Sequence, residues 1–228
     1  IVLIGKTGCG KSSTGNTILG EVKFKPVFGQ MAGTKYCQKA HGEVDGRPVV
    51  VVDTPGLFDT TLTNEDVHEE LVKCVSLLAP GPHVFLLVLQ IGRLTEEENK
   101  TLVLLKNFFG KNSQRFTIIL LTKGDDLEYN KVSVNDFIKN NCAESFKKLI
   151  SDCGGRYHVF NNRDKENKQQ VSELITKIDI MKMKRDDWRS KKELKTLKKS
   201  TNKKEKNMRI RGKKKIKSKE HRRKKREK

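Results

Sequence analysis

The octapeptide Gly-Lys-Thr-Gly-Cys-Gly-Lys-Ser at residues 5–12 constrains the fold of this chain more than any other part of the sequence. It fits the pattern G-x-x-x-x-G-K-[ST], which is typical of loops that bind the phosphates of a nucleotide. The aliphatic run of residues 1–4 predicts a short buried strand, and residues 12–19 can begin a helix. The segment therefore predicts a strand, a phosphate-binding loop and a helix, in that order.

The residue types of this loop suit the charge of a phosphate. Glycines let consecutive backbone N–H groups turn towards the anion, and the helix N-terminus adds the positive end of a dipole. Lys11 supplies a positive charge for the β- and γ-phosphates, and the Ser12 hydroxyl can bind Mg²⁺. The other residues that we predict to contact the nucleotide here are Gly5, Lys6, Thr7, Gly8, Cys9, Gly10 and Ser13.

Strand and helix patterns alternate over the first 180 residues or so. A hairpin is predicted at residues 41–53, where Asp45-Gly46 is a favoured two-residue turn. One early hairpin followed by βα repeats predicts an α/β fold, with a mostly parallel, six-stranded sheet, one antiparallel edge strand and helices on both faces. Further strands are predicted at residues 84–91, 116–121 and 156–160, and helices at 65–78, 95–109, 133–150 and near 165–180. Ligands of such sheets bind at the carboxyl ends of the strands.

A second motif, Asp53-Thr-Pro-Gly56, follows the strand predicted at residues 47–53. In P-loop GTPases the aspartate of a D-x-x-G sequence lies in the Mg²⁺ shell, and the glycine amide can reach the γ-phosphate. An ordinary Pro-Gly turn is the alternative, but the separation from residues 5–12 favours the functional interpretation. We therefore predict Asp53 and Ser12 as Mg²⁺ ligands and Gly56 as a nucleotide contact.

A third motif, Thr122-Lys-Gly-Asp-Asp-Leu127, follows the strand predicted to end at residue 121. GTPases use [NT]-K-x-D here, because a carboxylate can accept two hydrogen bonds from guanine that adenine cannot offer. The literal match selects Asp125, whereas counting from the strand end to the following leucine selects Asp126. We keep both aspartates, with Lys123 and Gly124, as guanine contacts. The motif opposes an ATPase or a kinase.

The segment Phe160-Asn-Asn follows the last predicted strand, where the second base-binding loop of a GTPase lies. Asn161 and Asn162 can hydrogen-bond the guanine edge, although two asparagines are also an ordinary turn sequence. With the earlier motifs, this segment predicts GTP or GDP and Mg²⁺ as the cofactors.

Five segments together carry a resemblance to a known family. They are residues 5–20, Gly33-Thr-Lys-Tyr-Cys37, Asp53-Thr-Pro-Gly-Leu-Phe-Asp59, Ala79-Pro-Gly-Pro-His83 and Leu89-Gln-Ile-Gly-Arg-Leu-Thr95. Through them the sequence resembles the GTPases of immunity-associated proteins (the GIMAP or immune-associated nucleotide-binding family), over about residues 1–180.

The resemblance implies a G domain like those of septins and Toc proteins. It also implies a guanine nucleotide with Mg²⁺ and a homodimer or oligomer that forms across the nucleotide face in the GTP state. By the same resemblance, Thr34 is the switch threonine that would close on Mg²⁺ and the γ-phosphate. Family members often end in coiled coils or membrane anchors, whereas this chain ends in a basic run.

No catalytic residue is assigned from the sequence. Ras-like enzymes place a water-orienting glutamine directly after the D-x-x-G glycine, and this chain has Leu57 there. Because an aliphatic side chain cannot orient the attacking water, we expect hydrolysis to be slow or to depend on a partner. The expected role is a nucleotide-controlled switch or assembly scaffold.

Nearly all the net charge lies in the C-terminal part of the chain. Residues 182–228 carry 25 Lys and Arg against 6 Asp and Glu, whereas residues 1–181 carry 23 against 22. We predict a G domain at residues 1–181 and a basic, helical or disordered tail at residues 182–228.

The basic tail has three interpretations, which the sequence leaves open. It can hold the protein on an anionic membrane surface or an acidic partner, at about 1 kcal/mol per basic residue near the lipid. It can bind nucleic acid or act as a nuclear localisation signal, although Trp188 is its one aromatic residue for base stacking. It can also be a solvated extension. The alternative function is therefore an adapter that nucleotide stabilises and the tail tethers.

Five scattered cysteines without a signal-peptide pattern predict a reduced, intracellular protein. The apolar runs have the length of strands, so no membrane span is predicted. We expect a cytoplasmic location, and the tail is compatible with the cytosolic face of membranes or with the nucleus. Because residue 1 lies within the first predicted strand, we also expect sequence to precede it.

Overall fold

The computed structural model describes residues 1–25, 34, 36–56, 69, 72–73, 78, 81–92 and 112–183. Its strands are β1 (Val2–Ile4), β2 (Gln38–Val44), β3 (Arg47–Asp53), β4 (Phe85–Gln90), β5 (Thr117–Thr122) and β6 (Tyr157–Val159). They form one six-stranded sheet in the order β2-β3-β1-β4-β5-β6. The β2–β3 pair is antiparallel and the other pairs are parallel, so the predicted sheet is confirmed.

The edge of the sheet is the predicted hairpin, in which Val44 of β2 lies opposite Arg47 of β3. Asp45 and Gly46 occupy the turn with φ angles of 52° and 75°. Two consecutive positive φ angles match the right-handed twist of the strands, which explains the Asp-Gly sequence. Towards the centre of the sheet, every side chain of β1 and β5 is buried, as expected for parallel strands covered on both faces.

The helices α1 to α5 follow the strands in chain order. They are α1 (Lys11–Leu19), α2 (Gly124–Tyr129), α3 (Val134–Asp136), α4 (Glu144–Asp152) and α5, which covers residues 169–183. A π-helical turn at Phe137–Asn141 continues α3. Within the helix predicted at residues 65–78, the described residues 69, 72 and 73 are helical, and residue 78 lies in a turn. The rest of that helix and the one predicted at 95–109 lie outside the described residues.

The prediction of a single helix at residues 133–150 is wrong. Ser133 caps α3 by accepting the Asp136 N–H at 3.1 Å, but the chain is extended at Cys142 and Ala143, with ψ angles of 142° and 156°. The apolar spacing does not reveal this break, because residues on both sides of it pack against the same hydrophobic cluster: Val134, Phe137, Ile138, Phe146, Leu149 and Ile150.

The expectation that all cysteines are reduced is wrong at Cys37. Cys37 is disulfide-bonded. Cys9, Cys142 and Cys153 are free thiols. Burial raises the pKa of the Cys142 thiol.

Contacts divide the chain into two compact units, Ile1–Asp179 and Ile180–Lys228. The first unit holds all six strands of the sheet. In the second unit the structure describes residues 180–183, so the basic segment at 184–228 lies outside the described residues. Among the described helices, none is long and apolar enough to cross a lipid bilayer.

Candidate functional site

Residues 5–10 form a loop between β1 and α1, and its backbone holds the side chain of Lys11, the first residue of α1. Lys11 is 6% exposed, and its Nζ donates to the carbonyl oxygens of Gly5 at 3.1 Å and Lys6 at 2.9 Å. Gly8 and Gly10 have φ angles of 78° and 97°, a region that other residues rarely adopt. The loop therefore has the left-handed backbone turns that form an anion-binding nest at the start of α1.

Three hydroxyl and carboxylate side chains from separate segments converge beside this loop. Ser12 Oγ donates to Asp53 Oδ2 at 2.6 Å, and Thr34 Oγ1 donates to the same oxygen at 3.1 Å. The two hydroxyl oxygens lie 3.3 Å apart. The structure thus brings together the three residues predicted as Mg²⁺ ligands. Their oxygen atoms are of the kind that Mg²⁺ prefers.

The Asp53 carboxyl group is fully buried at the end of β3. Burial raises its pKa, while the Ser12 hydrogen bond, the Lys11 charge and the Thr34 hydrogen bond lower it. Among the described side chains, Asp53 Oδ1 and Gln114 Oε1 are the buried polar atoms without a hydrogen-bond partner. Because an unpaired buried carboxylate oxygen is costly, a cation or its bound water at Oδ1 would stabilise the site. The residues present therefore fit Mg²⁺.

The Asp53–Gly56 segment is hydrogen-bonded to β1 and packs closely against the phosphate loop. Thr54 Oγ1 donates to the Leu3 carbonyl at 2.7 Å. A methyl group at Gly56 would overlap the Thr7 hydroxyl and lie 2.7 Å from the Thr7 nitrogen. The close approach of the two loops therefore requires glycine at this position. Leu57 lies outside the described residues, so slow hydrolysis stays a prediction.

Side chains at the ends of β4 and β5 hold the phosphate loop in place. Gln90 Nε2 donates to the Gly8 carbonyl at 2.7 Å. Thr122 Oγ1 donates to the Cys9 carbonyl at 2.9 Å and to the Leu89 carbonyl at 3.2 Å. The conformation of the loop is thereby fixed by two neighbouring strands of the sheet.

One predicted residue of the phosphate loop, Cys9, does not present its side chain to a ligand. Cys9 is fully buried, which makes its thiol a packing group. A contact of Cys9 with a phosphate would therefore come from its backbone. The Ser13 carbonyl accepts the Thr17 hydroxyl at 3.0 Å, within α1.

The third motif begins a helix, although the sequence reads as an acidic loop. Lys123 precedes α2 in the left-handed conformation, with φ of 63°. The Gly124 N–H donates to the Phe160 carbonyl at 3.0 Å, and a methyl group at Gly124 would lie 2.9 Å from a Val159 side-chain carbon. The base motif is therefore in direct contact with the loop that follows β6.

The two candidate aspartates have different surroundings. Asp125 is half-buried, and its Oδ2 pairs with Arg163 Nη1 at 2.8 Å. Asp126 is exposed on α2, where its backbone carbonyl accepts the Asn130 side-chain amide at 2.6 Å. Only the first of these carboxylates is bonded to the loop after β6 in the part of the chain that the structure describes.

The two candidate asparagines also differ. Asn162 Oδ1 accepts the Thr17 hydroxyl at 2.8 Å, and its Nδ2 donates to the Thr14 hydroxyl at 3.2 Å, so the side chain lies against α1. Asn161 Oδ1 accepts the Arg163 N–H at 3.0 Å, within its own turn. Asn162 is thus directed towards the phosphate-binding part of the site, and Asn161 stabilises the loop that carries it.

A family model described as the AIG1 family matches residues 1–209. The chain belongs to the AIG1 family. The resemblance to immune-associated nucleotide-binding proteins is thereby confirmed.

Curated relatives agree with this AIG1 membership. Immune-associated nucleotide-binding protein 10 of Arabidopsis thaliana is 36% identical over 184 residues, which cover 78% of this chain and 40% of that protein. GTPase IMAP family member 8 of Homo sapiens is 37% identical over 184 residues, which cover 79% of this chain and 27% of that protein. The chain spans about half or less of the length of the curated relatives it matches.

Solved structures of Toc33 from Arabidopsis thaliana resemble this AIG1 domain. The complex with GDP and Mg²⁺ has a TM-score of 0.50 and 24% identity, and the match covers 71% of this chain and 69% of that one. A second structure, from work on dimerisation and GTPase activity of Toc33, has a TM-score of 0.51 and 25% identity, with 71% and 68% covered. The predicted P-loop GTPase fold is confirmed.

Sequence reasoning missed three residues of the AIG1 site. Gln90 lies in a segment quoted for the family resemblance, and Thr122 begins the base motif, so both carried a signal. Gln170 on α5 carried none. It is 7% exposed, and its side chain binds the backbone of Asn161.

Proposed function

We propose that this chain is a guanine-nucleotide-binding switch GTPase, which binds GTP or GDP with Mg²⁺ and dimerises or oligomerises in the GTP state. The observation that carries the proposal is the convergence of Ser12, Thr34 and Asp53 beside the phosphate loop, with Asp53 Oδ1 buried and unpaired. Bound Mg²⁺ would neutralise charge on the phosphate oxygens. Relatives named as nucleotide-binding proteins and as a GTPase support the choice of ligand.

We assign guanine recognition to Asp125 rather than Asp126. The Asp125 carboxylate is half-buried and bonded through Arg163 to the loop after β6, whereas Asp126 is exposed. A carboxylate has about four lone-pair sites, so Asp125 can accept from guanine N1 and N2 while it keeps Arg163. Asn162, which lies against α1, would supply hydrogen bonds to the other side of the base.

Thr34 and Gly56 are the residues through which the nucleotide would control assembly. Thr34 is bonded to the Asp53 carboxylate, and Gly56 packs on Thr7 of the phosphate loop. Loss of the γ-phosphate would remove a ligand near both segments, as in other switch GTPases. With Leu57 in place of glutamine, hydrolysis would be slow and depend on the second protomer. For Toc33, dimerisation is described as important for GTPase activity, which supports this dependence.

The basic segment supports a second candidate, an adapter in which the nucleotide stabilises the domain and the tail tethers it. Residues 182–228 carry a net charge of +19. This charge suits an anionic membrane surface or an acidic partner, with the protein in the cytoplasm or at the cytosolic face of a membrane. Nucleic acid, which would imply a nuclear location, is the less favoured partner. Single-stranded nucleic acid is bound largely by aromatic side chains that stack on bases, and Trp188 is the one aromatic residue of the tail.

Gel filtration with light scattering on the full chain tests the proposal. The chain is measured with Mg²⁺ and GDP, a non-hydrolysable GTP analogue or the matching ATP analogue. We expect a dimer with the GTP analogue alone. Asp125→Ala should abolish this guanine preference, and the neighbouring Asp126→Ala should retain it.

Two outcomes contradict the proposal. A monomer in all three nucleotides, from protein that binds GDP, excludes nucleotide-driven assembly and favours the adapter. Equal binding of GTP and ATP analogues by the unmodified chain excludes guanine specificity.

A further inference from the structure

Gln170 uses its whole side-chain amide to hold the loop that follows β6. Its Oε1 accepts the Asn161 N–H at 2.9 Å. Its Nε2 donates to the Asn161 carbonyl at 3.2 Å and to the Asp164 carbonyl at 3.3 Å. Because Gln170 is 7% exposed, water has little access to replace these bonds if the amide is lost.

The backbone of Gln170 is held equally firmly. Its N–H donates to Asn167 Oδ1 at 3.2 Å, and its carbonyl lies 2.7 Å from His158 Nε2. The other ring nitrogen, His158 Nδ1, lies 3.0 Å from Lys177 Nζ. The backbone of Gln170 is therefore anchored to Asn167, which precedes α5, and to β6, so its side-chain amide has a defined position from which to hold Asn161.

The loop that Gln170 holds is the one that meets the candidate base site. The Phe160 carbonyl accepts the Gly124 N–H, next to Asp125. Arg163, two residues beyond Asn161, pairs with the Asp125 carboxylate at 2.8 Å. Every one of these contacts depends on the path of residues 160–163.

We propose that Gln170 is a positioning residue for guanine recognition. By fixing both backbone groups of Asn161, it sets the path of residues 160–163 and so the placement of Asn162 and of the Asp125–Arg163 pair. This inference rests on the proposed function. Gln170 touches none of residues 5–12 through the hydrogen bonds described above, so its effect is confined to the base and spares the phosphates.

Gln170→Met tests this role, because methionine has a similar length and cannot form the three side-chain hydrogen bonds. Gln169→Met is the matched control: Gln169 is the preceding residue on α5, is exposed, and bonds only Glu173 Oε1, at 2.9 Å, among the described hydrogen bonds. The full chain of each variant is titrated with GDP, with IDP, which lacks the guanine N2 amino group, and with pyrophosphate.

We expect Q170M to weaken GDP binding about tenfold, the equivalent of losing one to two net hydrogen bonds. Its preference for GDP over IDP should fall towards one, and its pyrophosphate affinity should stay within twofold of wild type. The Q169M control should match wild type in all three ligands. An unchanged ratio of GDP affinity to IDP affinity in folded Q170M overturns the inference. An equal loss of affinity for all three ligands also overturns it, since that indicates general destabilisation.

A second variant keeps the inference testable if Q170M does not fold. In Gln170→Glu the ionised carboxylate can accept the Asn161 N–H but cannot donate to the two carbonyls. Even a protonated carboxyl group supplies one donor where the amide supplies two, so the preference for GDP over IDP should fall below that of wild type. An unchanged ratio of the two affinities in folded Q170E overturns the inference. If the wild-type protein binds ADP as tightly as GDP, the proposed guanine specificity itself is wrong. This outcome is distinct from a failure of the inference about Gln170.

Discussion

Acid should destabilise this domain through His158, a buried histidine of β6. His158 is 5% exposed; its Nε2 lies 2.7 Å from the Gln170 carbonyl and its Nδ1 lies 3.0 Å from Lys177 Nζ. A carbonyl oxygen can only accept, so Nε2 carries the proton and Nδ1 accepts from the ammonium group. Protonation of Nδ1 would place a positive charge on a buried ring, directly beside the Lys177 ammonium group. Burial first, and the Lys177 charge second, lower the pKa of His158 from 6.5 to about 4.

The size and sign of the effect follow from these two pKa values. The unfolded chain binds a proton at this histidine below pH 6.5, whereas the native protein does not until about pH 4. The free energy of unfolding is therefore unaffected above pH 6.5, falls between pH 6.5 and 4, and loses nothing further from His158 at lower pH. At about 1.4 kcal/mol per pH unit, the loss is about 2.5 kcal/mol by pH 4.5.

Urea unfolding of the full chain between pH 7.5 and 4.5 measures this loss. In His158→Gln the amide can still donate to the Gln170 carbonyl but does not titrate, so its stability should fall by about 2.5 kcal/mol less than that of wild type over this range. His41→Gln, at an exposed histidine of β2, should keep the wild-type pH dependence. If the difference between wild type and H158Q stays constant from pH 7.5 to 4.5, the reasoning about the buried imidazole is refuted.

Three further substitutions test the phosphate end of the site. Ser12→Ala removes a donor to Asp53 Oδ2 and should abolish the slowing of GDP release by Mg²⁺, measured with a fluorescent GDP; unchanged Mg²⁺ dependence would contradict the metal assignment. Gly56→Ala forces a methyl group against Thr7 and should lower stability by about 1–3 kcal/mol, measured by urea unfolding, whereas wild-type stability would show that the two loops separate easily. Thr122→Val keeps the side-chain shape but loses the one hydroxyl proton that two backbone carbonyls share, so it should cost about 1–2 kcal/mol and weaken GDP binding, measured by calorimetry; full GDP affinity would exclude a role for Thr122 in holding the loop.

The phosphate end of the site was predictable because its physics is local. The sequence pattern predicts three features that lie within twenty residues of one another. They are glycines at positive φ, a buried strand before them and a helix after them. The hairpin was predictable for the same reason, since Asp45-Gly46 determines its turn. Parallel pairing then brings Asp53 to the edge where the phosphate loop lies, which follows from topology without any contact being known.

The base end was less predictable because its contacts are remote in sequence. Nothing in the motif at residues 122–127 separates Asp125 from Asp126; the difference comes from Arg163, 38 residues away. Nothing in the sequence separates Asn161 from Asn162, yet among the described contacts only Asn162 reaches α1. Its partner there, Thr14, is 148 residues away along the chain. Gln170 is one glutamine beside another on a polar helix, and only the fold distinguishes the buried one from the exposed one.

These remote contacts link the two ends of the site through the phosphate loop. Gln90 at the end of β4 bonds the Gly8 carbonyl, Thr122 at the end of β5 bonds the Cys9 carbonyl, and Asn162 after β6 bonds the Thr14 hydroxyl. Three neighbouring strands thus each deliver one polar side chain to the same loop and helix. Thr122, in the first base-binding segment, bonds the phosphate loop itself, whereas Asn162, in the second, contacts side chains of α1 and no residue of the phosphate loop among the described hydrogen bonds. Base recognition and phosphate binding are therefore coupled by direct contact through Thr122, and a change confined to the loop after β6 should leave the phosphate contacts in place.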